Sequence, residues 1–302
     1  MRTIRKLFSL LLVLSMLPGI FVTCCAEENA ESIAAVEASS MRLMRAEGSV
    51  TLTDETGTAI AIRETMRLYS GNVVSTETES RAGISLDETK AVTVGEKSCV
   101  SLRRDGKKLE LDLESGAMYF SIAKPLEAEE SFTIRTSDML LGIRGTAGQV
   151  EKTGETETAV ILASGHALIT AESGEEQAIH AGQRVVITQD ASGTQFTVSE
   201  IPPEEYPDLL LEELAFDELL LAEATAQNGK GFREAVLVTL LERAIEKGDL
   251  PLIAKAYNRQ TGFAHTGVEP KPDTSGGGES DAQKGDNGGY YANGSPAFVG
   301  RN

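Results

Sequence analysis

The sequence predicts a mainly β fold, solenoid-like or sandwich-like, followed by a small α-helical segment and a disordered tail. Apolar and polar residues alternate between positions 41 and 200, as in Leu109–Leu113, where acidic residues separate three leucines. This period of two is typical of strands with one buried face. Glycine recurs between the alternating runs, so that strands follow one another about every 8 to 12 residues. After Ile201 the apolar spacing changes to that of amphipathic helices.

Residues 1–26 have the features of an export signal. A basic stretch at residues 2–6 precedes the apolar run Leu7–Leu17, and small residues follow as far as Ala26. The apolar run is short for a membrane-spanning helix, so we expect cleavage after Ala26. The mature protein is then expected outside the cytoplasm, either extracellular or in the periplasm or cell envelope. Residues 27–40 are rich in Ala and Glu and predict a loose leader or a short helix.

Two adjacent cysteines leave a second outcome open at the N-terminus. Cys24 or Cys25 could carry a lipid, although the residues before each depart from a good lipidation motif. Membrane contact is expected only if one of them is lipidated. After cleavage behind Ala26, Cys99 is the only cysteine of the mature chain, so no internal disulfide can form, and a buried small apolar role is expected for it.

The β region is predicted over residues 41–200. Glycines next to Asp, Glu, Ser or Asn mark the turns between its strands. The run Ala159–Ala163 is apolar throughout and predicts a strand that is buried on both faces. The other predicted strands contain Val50–Leu52, Val92–Val94, Leu109–Leu113, Met118–Ile122, Phe132–Ile134, Ala167–Ile169, Val185–Ile187 and Phe196–Val198.

The segment 203–260 predicts three helices that pack together and onto the β region. The first is expected from Asp208, as its cap, through Ala226, and the second runs from about Phe232 to Lys247, with Gly248 just beyond its end. A third, short helix starts at Asp249 and Pro251 and continues through Tyr257. Docking of a partner helix on this Leu-rich surface is the alternative to packing within the chain.

The C-terminal residues have no capacity to form a core. Residues 266–302 are rich in Gly, Pro, Ser and charge, with few large apolar side chains. Such a composition cannot bury enough apolar surface to offset the cost of ordering the chain. We therefore predict a disordered Gly-rich tail.

The sequence contains no recognisable catalytic, cofactor or metal motif. Of its three histidines, His265 lies at the edge of the predicted tail, and His166 and His180 adjoin glycine turns and are expected to be exposed turn or strand residues. Neither His166 nor His180 lies beside a reactive-serine motif. No cluster of Cys and His has the spacing of a zinc site. The net charge of −18 is repelled by phosphate backbones, which argues against a nucleic-acid partner. The prediction is a protein that is not an enzyme and carries no cofactor.

The segment Met139–Val150 is the most informative part of the chain. Gly142, Gly145 and Gly148 fall three residues apart after an apolar strand, and Arg144 stands between the first two. Glycine at such places lets the backbone bend or approach another strand closely. No helix follows whose N-terminus could bind an anion, so the segment is not a phosphate-binding loop. An ion pair within the chain and a contact with a partner carboxylate remain equal alternatives for the arginine.

This segment resembles the hallmark of the FecR domain, an all-β extracytoplasmic signalling module. Its candidate contact residues are Gly142, Ile143, Arg144, Gly145 and Thr146. Further stretches are similar to other elements of the family in the same order: Met66–Thr76, Ala82–Leu86, Val92–Gly95, Leu113–Phe120, Phe132–Thr136, Val160–Gly165 and Ala181–Gln183.

The resemblance implies a non-catalytic protein that recognises a protein partner or senses a signal at the cell envelope. In the best-known members, the domain receives a signal from an outer-membrane transporter and passes it to a sigma factor. This sequence differs from them because it has helices and a tail after the β region, and no cytoplasmic anti-sigma segment before it. A structural or carbohydrate-binding surface module is the main alternative. A polysaccharide-active β-helix enzyme is the other, since 46 acidic residues could supply a pair of carboxylates.

Overall fold

The computed structural model describes residues 40–63, 65–191 and 193–261. The predicted signal peptide, the leader up to residue 39 and the predicted tail at 266–302 lie outside the described residues. Within them, the prediction of a mainly β protein with a helical C-terminal segment is confirmed. The described residues include no helix long and apolar enough to cross a membrane.

Strands occupy most of the chain from Arg42 to Glu200. In chain order they are β1 Arg42–Glu47, β2 Val50–Thr53, β3 Ala59–Ile60, β4 Met66–Arg67, β5 Val73–Thr76, β6 Arg81–Ser85, β7 Lys90–Val94, β8 Cys99–Asp105, β9 Lys108–Ile122, β10 Ser131–Arg135, β11 Met139–Ile143, β12 Ala147–Lys152, β13 Glu157–Ser164, β14 His166–Ala171, β15 Glu176–His180, β16 Gln183–Asp190 and β17 Gly193–Glu200.

The strands form two sheets that face each other as a sandwich. We call the first the covered sheet; its order is β4-β1-β6-β7-β9-β12-β13-β16-β17. We call the second the open sheet; its order is β3-β2-β5-β8-β9-β10-β11-β14-β15. All pairings are antiparallel except that between β9 and β10.

The period-two pattern forms the core because alternate side chains of each strand point between the sheets. In β9 the leucines at 109, 111 and 113 are buried, whereas Glu110 and Asp112 face outward. The largest fully buried side chains of this core include Phe120, Phe132, Leu43, Leu52, Ile84, Leu86, Leu102 and Met118. The run Ala159–Ala163 is buried throughout, as predicted.

Strand β9 belongs to both sheets. Its first half pairs with β8 and β10 in the open sheet, and its second half pairs with β7 and β12 in the covered sheet. The chain crosses between the sheets at Gly116, which has φ of 80°. A Cβ atom there would overlap Ser98 Oγ and lie 2.6 Å from Ser98 Cα. Glycine is required at this crossing because it alone combines a positive φ with such close packing.

Four helices follow the strands: α1 Asp208–Phe216, α2 Glu218–Asn228, α3 Phe232–Lys247 and α4 Leu250–Thr261, after a short 3₁₀ turn at Pro203–Glu205. The second predicted helix has the predicted ends, since Gly231 and Gly248 flank it in the left-handed conformation. The last helix runs four residues beyond the predicted Tyr257.

The prediction of one continuous helix from Asp208 to Ala226 is wrong. Asp217 adopts an extended conformation, with φ of −100° and ψ of 104°, and separates α1 from α2. Its carboxylate accepts a hydrogen bond from the backbone N–H of Leu220 at 3.0 Å and so caps α2. Asp208 is the first residue of α1 and not its cap; its carboxylate binds Arg243 at 2.8 Å and also Lys247.

We expect the substitution Asp217→Ala to destabilise the protein by about 1 kcal/mol, the usual cost of losing an N-cap. The backbone N–H at the start of α2 would lose its acceptor. Urea unfolding followed by circular dichroism measures the change. The replacement Asp217→Asn keeps a capping oxygen and should recover most of the loss; an equal loss in both variants would contradict the capping role.

The helices cover the outer face of the covered sheet. Tyr119, Ala147, Ile161 and Ala163 project from that face into a second apolar core formed with the helices. The helical side chains of this core include Leu210, Leu211, Leu214, Leu221, Val236, Leu237 and Leu240. The Leu-rich surface is therefore used within the chain, as predicted, and not left free for a partner helix.

Two ion pairs join α1 to strands of the covered sheet. Arg45 of β1 lies 2.8 Å from Glu213, and Arg81 of β6 lies 2.7 Å from Glu212. Each joins oppositely charged groups that are partly shielded from solvent, where they are screened less than at the surface. They fix the helical cover along the β1–β6 side.

A cluster of charged side chains closes one end of the sandwich. Lys90 is only 3% exposed, and its ammonium lies 2.9 Å from Asp87 and 3.4 Å from Glu130. Arg104 approaches the same Asp87 carboxylate at 3.5 Å. Two cations and two carboxylates thus balance one another, which is the condition for charges to be tolerated in a buried place.

Candidate partner-binding face

The predicted hallmark residues form a corner at which the chain passes from the open to the covered sheet. Strand β11 ends with Gly142 and Ile143, and Arg144, Gly145 and Thr146 make the bend before β12. Gly145 has φ of 84°, and a Cβ atom on it would lie 3.3 Å from Pro125 Cα. The bend is therefore held against the loop that follows β9.

Two of the hallmark residues are structural. The side chain of Thr146 is buried, and its carbonyl oxygen accepts a hydrogen bond from the backbone N–H of Ile122 at 3.0 Å. Gly145 lies against a second corner, because a Cβ atom built on Gly165 would be only 2.5 Å from the Gly145 carbonyl oxygen. Gly165 also has a positive φ, of 77°. These residues shape the corner and offer little surface to a partner.

Arg144 is the exposed side chain of the hallmark. Within the described part of the chain, no carboxylate lies within 4.0 Å of its guanidinium, although most arginines of the helices and the charged cluster are paired. Of the two alternatives left open by the sequence, an ion pair within the chain is thus not formed among the described residues. The arginine presents its donors to solvent.

Two histidines lie beside this arginine on the outer face of the open sheet. His166 of β14 is paired directly with His180 of β15, and both are exposed, as the sequence suggested. Ile143, the last residue of β11, pairs with Ala167, so Arg144 in the bend and His166 on β14 are the residues next to this pair. The Ala181 N–H donates to Gly165 O at 2.9 Å and the Ala171 N–H donates to Glu175 O at 2.8 Å. By alternation along the ladder, the histidine pair occupies a non-hydrogen-bonded position, where opposed side chains are closest.

The sequence did not reveal this pairing. Taken singly, His166 and His180 are correctly predicted as exposed turn or strand residues. The Ser173–Gly174 turn between two alternating runs is typical of a hairpin, and the register of that hairpin sets His166 opposite His180.

An apolar row runs next to the histidines on the same face. Gly142, Leu168 and Ala178 are cross-strand neighbours on β11, β14 and β15. Leu168 is 41% exposed although it is a large apolar residue in the middle of a sheet. This face is free because the helices pack on the other sheet, so a flat apolar strip borders the arginine and the histidines.

We use the name basic corner for Lys124, Arg144, His166 and His180. Lys124 directly precedes Pro125, the residue packed against Gly145, and it is exposed. No carboxylate lies within 4.0 Å of Lys124 among the residues described. The corner therefore carries two unpaired cations and two imidazoles on a chain whose net charge is −18.

The other half of the open face is acidic. Glu110, Asp112 and Glu114 project from β9, two residues apart. Partial burial raises the pKa of the Asp112 carboxyl, and the neighbouring carboxylates of Glu114 and Glu110 add to this against the opposing effect of Arg103 and Arg135. Arg103 and Arg135 bind Glu110 at 3.3 and 3.4 Å. The face is thus bipolar, acidic on β9 and basic at the corner.

Cys99 lies at the acidic edge of this face as a half-buried free thiol. Burial raises the pKa of the Cys99 thiol, and the nearby Glu114 carboxylate raises it further, although a hydrogen bond from Ser75 opposes them. A thiol in these surroundings is a poor nucleophile near neutral pH. Because Cys99 is half-buried, the expectation of a buried small apolar residue is met only in part.

Apart from this face, the described residues offer little to a ligand. No three side chains among His, Cys, Asp and Glu converge there as a metal site would require. A shallow pocket of about 280 Å³ lies where the end of β17 meets α2 and α3, with mostly apolar walls and Glu200 and Asn228 at its rim. It contains no grouping of an acid, a base and a nucleophile.

Comparison with known proteins finds one family model that matches part of the chain. No curated protein matches the sequence. Two crystal structures of a Parabacteroides distasonis ATCC 8503 protein described as an anti-sigma factor match with TM-scores of 0.38 and 0.37 and 11% identity. Each match covers 43% of this chain and 59% of the other. Residues 72–168 match the family model described as FecR protein, so the predicted FecR resemblance is confirmed over that segment, which contains Arg144 and His166.

Proposed function

We propose that this is an exported, non-catalytic protein that senses a signal by recognising another protein at the cell envelope. The observation that carries the proposal is the match of residues 72–168 to the FecR family, together with the free outer face of the open sheet in that segment. Resemblance to this family implies a protein that acts through contacts with other proteins. The features of an export signal in residues 1–26 support the envelope as the place of action.

The structure offers one broad surface for such a contact. The helices occupy the outer face of the covered sheet, whereas Leu168 and its neighbours leave an apolar strip exposed on the open sheet. Exposed apolar strips bordered by charge are typical of protein-binding surfaces. The partner is accordingly expected on the open sheet.

Site-specific photocrosslinking in the native cells tests this proposal. A photoreactive amino acid at position 168 should give a discrete covalent adduct with one envelope protein, identified by mass spectrometry. The matched control is position 219 on α2, where the leucine is 71% exposed but lies on the helical cover. Adducts at both positions with the same set of proteins, or none at position 168, would contradict recognition through the open sheet.

Export is tested separately by cell fractionation and the intact mass of the mature protein. A mass that corresponds to residues 27–302 is expected. A mass that retains residues 1–26, with the protein in the cytoplasmic fraction, would remove the envelope from the proposal.

A further inference from the structure

We infer that the basic corner docks an acidic segment of the protein partner, with apolar side chains of the same segment on the Leu168 strip. This inference rests on the proposed function and specifies the chemistry of its partner. Three observations support it: two cations without a carboxylate partner among the described residues, nearby carboxylates that bind other side chains, and the spacing of residues on neighbouring strands.

The first step concerns charge. Arg144 and Lys124 have no carboxylate within 4.0 Å among the described residues, although the chain has 46 acidic and 28 basic residues. Arginine presents a planar set of donors that matches a carboxylate in two parallel hydrogen bonds. An unpaired arginine beside a lysine in such an acidic protein favours an acidic occupant over a basic one.

The second step concerns the carboxylates that could have filled this role within the chain. Glu110 is held by Arg103 and Arg135, and Glu127 lies 3.4 Å from Lys107. Glu200, the last residue of β17, accepts a hydrogen bond from Gln183 at 3.0 Å. These three carboxylates are thus engaged with other side chains, and none of them is paired with the basic corner.

The third step concerns spacing. His166 and His180 form one row on β14 and β15, and Arg144 follows the end of β11 beside that row. Gly142, Leu168 and Ala178 form the next row, two residues away along each chain. Two residues of an extended chain span about 6.6 Å. An extended segment lying along β14 would therefore place an apolar side chain on Leu168 and a carboxylate on the basic row. The histidines can donate hydrogen bonds to the same carboxylates.

An acidic peptide agrees better with this surface than a lipid headgroup or a sugar polymer. The apolar strip is flat and part of a sheet, so it has no depth to enclose an acyl chain. Neither row contains a Phe, Tyr or Trp side chain, whereas sugar sites usually contain such aromatic platforms. The combination of a flat apolar strip and a cationic row matches a protein segment.

A binding measurement with a designed probe tests the inference. The probe is a fluorescein-labelled Leu-Ser-Leu-Ser-Glu-Ser-Glu peptide, and its control carries Lys in place of both Glu residues. Fluorescence anisotropy with the purified protein at pH 7 and low salt should show at least tenfold tighter binding of the acidic peptide. Equal affinity for both peptides would overturn the inference.

Charge-reversal variants locate the contact. Arg144→Glu should weaken binding of the acidic peptide at least tenfold, and His166→Gln with His180→Gln should weaken it by about threefold. The matched control is Arg63→Glu, since Arg63 is also exposed, has no carboxylate within 4.0 Å in the described residues and lies outside the corner. Equal losses for Arg144→Glu and Arg63→Glu would show a general charge effect and overturn the inference. Circular dichroism must show unchanged folding of each variant.

Two further outcomes separate this inference from the proposed function. If the adduct at position 168 forms equally in wild-type and Arg144→Glu cells, recognition through the open sheet stands, but the inference that the basic corner docks an acidic segment is overturned. If phosphatidylglycerol vesicles bind the protein through Arg144 more tightly than the peptide does, the corner serves a membrane surface, and the inference is overturned.

Discussion

The substitution Gly148→Ala is expected to destabilise the protein by about 3 kcal/mol, which lies at the upper end of what overpacking a core costs. Gly148 is the last glycine of the hallmark and lies in β12. A Cβ atom there would overlap the Ile161 carbonyl oxygen and would lie 2.8 Å from Leu162 Cδ2 and 3.0 Å from Phe120 Cζ. Because backbone and core atoms surround the site, movement of one flexible side chain cannot relieve the overlap. Urea unfolding should show a lower midpoint.

Two other glycines provide matched controls for this prediction. Gly154 lies in the turn between β12 and β13, and a Cβ atom on it would have no neighbour within 4 Å. Gly142, the first hallmark glycine, would place a Cβ atom no closer than 3.8 Å to the Leu168 carbonyl oxygen. Each should change the free energy of unfolding by about 0.5 kcal/mol or less on replacement by Ala. If Gly142→Ala were as harmful as Gly148→Ala, close packing would not be the reason for the glycine.

Asp87→Asn should reduce the free energy of unfolding at pH 7 by about 3 kcal/mol, because breaking a buried ion pair leaves the opposite charge uncompensated. The Asp87 carboxylate accepts hydrogen bonds from the Thr89 and Lys90 backbone N–H groups at 2.8 and 2.9 Å, and from the Lys90 ammonium. Asparagine can keep the backbone bonds, but it provides no negative charge for Lys90 and Arg104. The substitution therefore isolates the electrostatic contribution of Asp87 to the free energy of unfolding.

The difference between wild type and Asp87→Asn should depend on pH. Burial by itself would raise the pKa of Asp87, but the hydrogen bonds from Lys90 and Thr89 outweigh it and lower the pKa below the usual 3.8. A carboxyl group whose pKa is lowered by folding stabilises the folded protein at neutral pH. That stabilisation is lost as the pH falls through the lowered folded-state pKa. The difference in the free energy of unfolding between wild type and Asp87→Asn should therefore decrease below about pH 4.

Unfolding titrations of both proteins at pH 7 and pH 3 measure this effect. The control is Glu88→Gln in the same turn, since Glu88 is exposed and should contribute about 0.5 kcal/mol or less. A gap of the same size at both pH values would show that Asp87 acts through its shape and not through its charge.

The strands could be predicted from the sequence because their signal is local. In β9, leucines and acidic residues alternate, and each predicted orientation is found in the structure. The helix Phe232–Lys247 was predicted with both ends because Gly231 and Gly248 mark them. The break at Asp217 was missed because leucines on both sides continued the apolar pattern, while a single capping carboxylate gave the opposing signal.

The assignment of strands to two sheets could not be predicted, since it depends on distant partners. Strand β9 pairs in parallel with β10 at its beginning and antiparallel with β12 at its end, and no local pattern specifies either. The residues that lie side by side on the candidate face also depend on strand pairing. The family resemblance selected Arg144, but only the pairing of His166 with His180 reveals the imidazoles beside it.

The sharing of β9 between the sheets has a mechanical consequence. Sliding one layer of the sandwich over the other would require rupture of hydrogen-bonded ladders on both sides of Gly116. A load applied to the open sheet would pass to the covered layer along a covalent chain, without relying on side-chain packing alone. The module should therefore resist shear between its layers.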